Sequence, residues 1–215
     1  MHQSKRVLYI LIILVIFSLS IGAEEVVEPR ESQSVYINAE SLSYQEEKTI
    51  LSGGVRIRKA DTLITALTGD LFRSEQRIFL EDDIRAEYPD GIVTASFLNA
   101  FLNEEEYIFE ETVLLNYRLS AEKDILVLTS QYLKLFGSDN SFTAEKDVEI
   151  DYEGQNFRGD RADYDGQTEI LLLSGNVEIE EDGDWIKSDR ASFNLAEGEE
   201  GYTAEGNVEL MIRID

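Results

Sequence analysis

Apolar and polar residues alternate along short runs of this chain from Val35 onward, and the alternation restarts at regular intervals. Each restart opens with a valine or isoleucine and continues with apolar residues at every second position. A period of two is typical of β-strands, in which alternate side chains share one face. We therefore predict one interior lined by the leading pairs of these runs, namely Val55 and Ile57, Ile84 and Ala86, Val113 and Leu115, Val148 and Ile150, Val177 and Ile179, and Val208 and Leu210.

A short phrase introduces each run, and its clearest copy is Leu171–Ile179, which reads Leu-Leu-Leu-Ser-Gly-Asn-Val-Glu-Ile. The leading valine or isoleucine recurs after 29, 29, 35, 29 and 31 residues. A regular period of this size indicates a repeat architecture, in which stacked units bury one continuous core. Close copies of the phrase lie at 50–57 and 203–210, and degenerate copies lie at 80–86, 109–115 and 144–150.

The segments between the runs have the composition of turns, and no stretch after residue 35 shows the capped 3.6-residue period of a long helix. We predict an all-β domain of six antiparallel repeats of about 29 residues, with about 12 or more strands. The one long spacing predicts a loop insertion within Tyr117–Asp124. Turn signals lie at Tyr88–Gly91, Asp165-Gly166 and Asp182-Gly183, and bends or bulges are expected at Gly53, Gly175 and Gly206.

Residues 1–23 have the composition of an export signal. Two basic residues precede an unbroken apolar run, Val7–Phe17, and small residues follow it. This order predicts a secretory signal peptide. A membrane span needs roughly 20 residues, so the short run favours cleavage over a retained signal anchor, which is the alternative. The acidic segment 24–34 is then predicted to be a linker, and 35–215 the β domain.

The chain is strongly acidic, with 44 Asp and Glu against 19 Lys and Arg and a formal net charge of −25. Such a surface repels nucleic acid and anionic membranes, so we predict no nucleic-acid partner. The chain has no cysteine, and its one histidine, His2, lies in the predicted signal peptide. The domain therefore lacks the residues for Cys–His dyads, Ser–His–Asp triads and the usual zinc sites.

Carboxylates are the remaining candidates for chemistry, but at this density of acidic residues suggestive pairs arise by chance. Glu180–Asp184 offers oxygen atoms to a hard cation, yet it lacks the spacing of a calcium loop. Its composition is that of a solvated turn. We therefore predict no catalytic residue, no metal site and no cofactor, and we do not expect an enzyme.

The full repeated phrase resembles the OstA-like lipopolysaccharide-transport family, which comprises LptA, LptC and the periplasmic domain of LptD. The likeness covers residues 35–215 and is clearest at Asn38–Val55, Gly159–Val177 and Ser188–Val208. No outer-membrane barrel segment follows Asp215 in this sequence, so we expect an LptA-type member rather than an LptD-type one. The resemblance implies a twisted β-jelly roll with an open apolar groove, in which the residues of the predicted interior hold acyl chains.

The resemblance also implies a periplasmic bridge protein that moves lipopolysaccharide or a related lipid from the inner to the outer membrane. Its expected partners are that lipid, other bridge proteins and further copies of itself arranged head to tail. Two alternatives stay open, namely a membrane-anchored adaptor of the LptC type and a structural β-repeat protein without lipid cargo. Partner binding by strand addition is expected at the edges, through Val35, Ile37, Val208, Leu210 and Ile212.

Overall fold

Long strands joined by short turns make up the part of the chain that the computed structural model describes, which is residues 34–119, 124–196 and 201–214. Within those residues there are fourteen strands and no helix, which confirms the predicted all-β class. The strands are β1 Val35–Asn38, β2 Ser41–Gln45, β3 Lys48–Lys59, β4 Thr62–Phe72, β5 Arg77–Tyr88, β6 Gly91–Phe101, β7 Glu106–Arg118, β8 Ile125–Phe136, β9 Ser141–Tyr152, β10 Gln155–Asp165, β11 Ile170–Glu181, β12 Asp184–Asn194, β13 Gly201–Glu205 and β14 Glu209–Met211.

All the pairings between strands are antiparallel. From β3 to β12 the order in the sheet is the order in the sequence. At one edge β1 and β2 both pair with β3, and at the other edge β13 and β14 both pair with β12. The hairpin turns fall at the predicted signals, since β5 ends at Tyr88 and β6 begins at Gly91.

Every long strand from β3 to β12 is interrupted near its middle by a shift in register. In the odd-numbered strands from β3 to β11 the shift coincides with two successive residues of positive φ, a conformation that glycine adopts at no steric cost. Gly53 and Gly175, with φ of 80° and 75°, therefore lie at bends, as the sequence predicts. The pairs of positive φ are Gly53-Gly54, Asp82-Asp83, Glu111-Thr112, Lys146-Asp147, Gly175-Asn176 and, just after β13, Gly206-Asn207.

The bends divide the sheet into two walls. The first wall contains β1, β14 and the half of each long strand that lies in line with the Val55–Lys59 half of β3. The second wall contains β2, β13 and the half of each long strand that lies in line with the Lys48–Ser52 half of β3. The hairpin turns of each wall form a rim, and we call the gap between the two rims the mouth. Among the described residues no strand pairing joins one rim to the other, so the sheet is open along the mouth.

Side chains of both walls are buried in one hydrophobic cluster that begins at Leu51 and ends at Leu195. In β5 the buried residues Leu80 and Ile84 are separated by three exposed ones, two of which form the bend. The bend thus keeps the inward side chains of both halves directed at the same core. A single core that runs through every repeat is what a stack of incomplete units needs in order to bury its apolar faces.

Residues 1–23 and all of the linker 24–34 except Ser34 lie outside the described residues. The described residues contain no helix of the length and hydropathy that a membrane crossing requires. Of the segment predicted to hold the loop insertion, Tyr117 and Arg118 belong to β7, and residues 120–123 lie outside the described residues.

Candidate functional site

Ten of the twelve residues predicted to line the interior are buried in the core cluster, and each is at most 3% exposed. They come from the β3, β5, β7, β9 and β11 halves of the first wall, where each follows a bend. Their apolar surface is continuous with that of second-wall residues such as Phe109 and Leu173. The ten are Val55, Ile57, Ile84, Ala86, Val113, Leu115, Val148, Ile150, Val177 and Ile179.

Val208 and Leu210 lie outside this cluster, with exposures of 51% and 58%. Leu210 is paired directly with Ile186, which packs against the core, so Leu210 lies on the inner face of the sheet. It is exposed because no described strand follows β14 along the sheet. In the isolated chain, therefore, these two residues do not belong to the buried interior.

The predicted edge residues differ between the two edges. In β1, Val35 and Ile37 are half-buried against the core, whereas Tyr36 between them is 70% exposed. At the other edge Ile212 follows β14 and is 57% exposed. Both edges therefore present apolar side chains on strands that have a partner on one side only.

The inner face is also exposed at both ends of the second wall. Leu42 of β2 is paired with the buried Leu51, and Tyr202 of β13 is paired with the buried Phe193. Paired residues share a face of the sheet, so Leu42 and Tyr202 continue the inner surface beyond the closed core. Their exposures are 64% and 43%.

Side chains fill the mouth between the two rims. At one position Lys59 Nζ of the first rim donates to Glu105 Oε1 of the second rim at 2.8 Å and to the carbonyl oxygen of Leu102 at 3.2 Å. The Lys59 side chain is only 13% exposed. This contact joins residues 46 positions apart in the sequence.

Aromatic pairs close the mouth farther along. Tyr88 packs edge-on to Tyr107 with ring centroids 5.7 Å apart, and Tyr117 packs edge-on to Phe142 at 6.4 Å. Phe157 and Phe193 make a similar contact at 4.5 Å. In each pair the first residue belongs to the first wall and the second residue to the second wall. The apolar interior is thus separated from solvent by side chains, whereas no backbone pairing among the described residues crosses the mouth.

A cavity of about 340 Å³ opens between the rims at this row of side chains. Lys59, Tyr88 and Tyr117 line it from the first wall, and Tyr107 and Phe142 line it from the second. Leu115, a member of the core cluster, also borders it. The cavity therefore lies against the interior, and its lining also includes Phe136 and the acidic residues Asp61, Asp90 and Glu105.

The tyrosines at the mouth are held in the protonated state. Burial is the main cause that raises the pKa of Tyr88 well above its ordinary value, and the neighbouring Tyr107 adds to the rise. Burial likewise raises the pKa of Tyr107 and of Tyr117. Their hydroxyl groups consequently remain potential hydrogen-bond donors across the ordinary pH range.

The outer faces of the walls are polar and carry ion pairs. Arg158 Nη2 lies 2.9 Å from Glu149 Oε1, and hydrogen bonds from Arg158 and Asn156 lower the pKa of Glu149. Within Glu180–Asp184, Asp182 and Gly183 form the turn between β11 and β12, whereas the first two residues end β11 and Asp184 begins β12. Among the described residues no group of three potential metal-ligating side chains is close enough to hold an ion.

The sequence reasoning missed the residues of the mouth. A usable signal was present, because tyrosine follows the interior pairs at the next alternate position in three runs, as Tyr88, Tyr117 and Tyr152. Each of these lies at or next to the end of a strand in the first wall. The partners of Tyr88 and Tyr117 across the mouth, Tyr107 and Phe142, come from other repeats, and no local pattern identifies such pairs.

Three comparisons with known proteins bear on this chain. The sequence profile described as "LptA/(LptD N-terminal domain) LPS transport protein" matches residues 36–199. The LPS-assembly protein LptD of Nitrosomonas europaea is 33% identical over 76 residues, which are 34% of this chain and 10% of that protein, so the chain matches only a tenth of that relative's length. The crystal structure of LptH, the LptA-homologous periplasmic component of the lipopolysaccharide transport device of Pseudomonas aeruginosa, is 14% identical with a TM-score of 0.34, covering 85% of this chain and 96% of LptH.

Proposed function

This chain belongs to the LptA/LptD N-terminal-domain family of lipopolysaccharide-transport proteins, and from that premise we propose that it is an exported periplasmic carrier of lipopolysaccharide or a related lipid. The observation that carries the proposal is the interior, which is one apolar surface running through all the repeats and exposed at both ends. Acyl chains enter this interior between the two walls and pass along it from the inner toward the outer membrane.

The energetics of acyl chains make such an interior useful. Each methylene exposed to water costs about 0.8 kcal/mol, so a chain of about 12 carbons costs roughly 10 kcal/mol. A lipid with several chains therefore needs a continuous apolar path across an aqueous compartment. Replacing water by protein along that path requires no covalent step, and we assign no reaction to this protein.

Partners of the transport system meet this chain at its edges. Tyr36, Leu42 and Tyr44 are exposed at the β1/β2 edge, and Leu210 and Ile212 are exposed at the β14 edge. A strand of another protein, or of a second copy placed head to tail, extends the sheet there by main-chain pairing and covers these side chains. The inner surface then continues from one protein into the next.

Binding of purified lipopolysaccharide to the purified protein tests the function. Native mass spectrometry should show complexes of the protein with lipopolysaccharide, and an acidic protein of similar mass without an apolar groove should show none. Absence of any complex, at concentrations where the protein is folded by circular dichroism, would contradict the carrier function.

The structural β-repeat protein without cargo remains a second candidate, because the interior is already well packed. Leu80, Leu128 and Ile150 are 0% exposed, as in an ordinary core. The two candidates differ in what lipid does to this core. A carrier should lose hydrogen-exchange protection at the rim strands when lipid is added, whereas a scaffold should show an unchanged exchange pattern.

The anchored adaptor differs from the carrier only at residues 1–23. N-terminal sequencing of the exported protein distinguishes them, since a start near Ala23 or Glu24 indicates cleavage and an intact Met1 segment indicates an anchor.

A further inference from the structure

The cavity at the mouth beside Lys59 combines three features. It lies between the two rims, it is bounded by aromatic rings, and it touches Leu115 of the core. Its volume of about 340 Å³ is at the lower end of the range of roughly 300–1,000 Å³ typical of small-molecule sites. The space suits one flexible apolar chain and is too small for a whole lipid with several chains.

The hydroxyl group of Tyr88 is the second observation. Its oxygen is shielded from solvent and has no hydrogen-bond partner in the structure, although the residue as a whole is only half-buried. Buried hydroxyl groups almost always have a partner, so one without a partner calls for an explanation. A ligand oxygen placed at the mouth supplies the missing acceptor when Tyr107, which packs edge-on to Tyr88, moves aside.

We propose that the mouth cavity is the portal through which a single acyl chain enters the interior, with a carbonyl or hydroxyl oxygen of that chain accepting a hydrogen bond from Tyr88. The methylene groups of the chain lie against Tyr107, Tyr117 and Phe142 and lead toward Leu115. This portal rests on the proposed carrier function, for which it names the point of loading.

The ion pair between Lys59 and Glu105 borders one side of the portal and affects which head groups bind there. Glu105 neutralises the ammonium group of Lys59 at 2.8 Å, so an anionic head group finds no free cation there. The portal in its closed form therefore favours neutral oxygen groups, such as esters and hydroxyls, over a free carboxylate. Removing the charge of Glu105 should reverse that preference.

The probes for this portal are dodecanoate and its neutral glycerol monoester, each used below the concentration at which it forms micelles. Calorimetric titration of the full chain should give a Kd for the monoester that rises about tenfold in Tyr88→Phe, the effect of losing one hydrogen bond. Tyr132→Phe is the matched control, because Tyr132 does not line the cavity and lies near Lys134, Glu145 and Glu106. It should leave the Kd unchanged.

A second pair of variants tests the role of the ion pair between Lys59 and Glu105. Glu105→Gln should strengthen binding of dodecanoate several-fold without changing that of the monoester. Glu149→Gln removes a charge on the outer face and should change neither. Tyr88→Phe should also keep the protein at least as stable as the wild type, because the oxygen that it removes has no partner.

The outcomes separate the portal from the carrier function. If the wild type binds lipopolysaccharide but Tyr88→Phe and Glu105→Gln bind both probes as the wild type does, the portal is wrong and the carrier function stands. The portal is equally wrong if the wild type binds lipopolysaccharide and neither probe. If the wild type binds neither lipopolysaccharide nor the probes, the carrier function fails and the portal fails with it.

Discussion

The middle of the sheet and its ends both direct apolar side chains to the inner face, but these side chains differ in their exposure to solvent. Leu80, Leu128 and Ile150 in the middle are 0% exposed, whereas Leu42 and Leu210 at the ends are 64% and 58% exposed. The alternation that places a side chain on the inner face is the same in both regions. Burial additionally needs a neighbouring strand on each side and an opposite wall, and the end strands have a neighbour on one side only. The inner face stays apolar where it is uncovered, and this is the surface that the proposed neighbouring protein would cover.

The bends show a second contrast between these regions. Toward the ends, the bends contain glycine, as in Gly53-Gly54 and Gly175-Asn176, whereas in the middle they contain Asp82-Asp83, Glu111-Thr112 and Lys146-Asp147. Non-glycine residues of positive φ carry a steric cost of about 1–2 kcal/mol each. The middle repeats therefore keep the bend at a cost, which their fully buried core offsets.

The largest difference between middle and ends should appear on truncation of an inward leucine. Leu128→Ala removes a side chain with 0% exposure and should lower the free energy of unfolding by about 2–5 kcal/mol. Leu210→Ala, at 58% exposure, should change it by less than about 0.5 kcal/mol. Urea titrations of both variants measure the free energy of unfolding. Equal decreases in the two variants would show that Leu210 at the end of the sheet is covered in solution.

The next effect concerns a glycine bend near the ends of the sheet. Gly175 has φ of 75°, and a methyl group added there collides with the Asp160 carboxylate. Gly175→Ala should therefore lower the free energy of unfolding by more than the roughly 1–2 kcal/mol expected from the backbone conformation alone. Gly154→Ala, at φ 83° with open space around it, is the matched control for the backbone term. Equal costs would show that the contact with Asp160 is absent.

The middle bends should respond in the opposite direction. Thr112 is β-branched with φ of 51°, so Thr112→Gly removes steric strain. We expect a rise of about 1 kcal/mol in the free energy of unfolding, reduced by the loss of the contact between the Thr112 and Ser96 hydroxyl groups. The midpoint of urea unfolding measures it. A decrease would mean that the bend is not strained.

A smaller effect is expected on the outer face of the middle repeats. Burial alone would raise the pKa of Asp163, but hydrogen bonds from Arg161 and Thr143 outweigh it, and the pKa of Asp163 lies below its ordinary value. The resulting stabilisation is fully present above the unfolded pKa of about 3.9 and is lost as the pH falls through the lower folded pKa. Asp163→Asn should lower the free energy of unfolding by less than about 1 kcal/mol at neutral pH, because the carboxylate is partly exposed. In strong acid the substitution should leave the free energy of unfolding unchanged. A cost independent of pH would exclude this origin of the stabilisation.

The smallest effect on stability and the sharpest effect on assembly should come from the β14 edge. Ile212→Pro removes a backbone donor beyond the last paired residue, Met211, and should leave the unfolding midpoint nearly unchanged. It should weaken binding to partner proteins and to second copies in analytical ultracentrifugation. Ile212→Ala keeps the donor and separates the loss of the backbone group from the loss of the side chain. Association that survives the proline in a folded protein means that this edge is not the joint.

The interior could be predicted from the sequence because its signal is local. A period of two shows which residues share a face, and Val55, Val113 and Val177 are all buried as expected. Glycine likewise predicted the bends at Gly53 and Gly175. The bends at Asp82-Asp83 and its middle counterparts carry no such residue, and only the repeat spacing hints at them.

The mouth and the ends could not be predicted because they depend on distant contacts. Lys59 meets Glu105 only after the two walls have formed, and neither residue has a distinctive local pattern. Leu210 has the same alternation as Leu115, and its exposure follows from the lack of a described strand beyond β14.

The central claim is that lipid occupies the inner face of the sheet in the cell, and site-specific photocrosslinking tests it most directly. A photoreactive amino acid replaces Leu115, which is buried on the inner face, or Leu114, the preceding residue of β7, which lies on the outer face. After irradiation of living cells, lipopolysaccharide should be attached at position 115 and absent at position 114. Equal labelling at both positions, or labelling at position 114 alone, would contradict the claim.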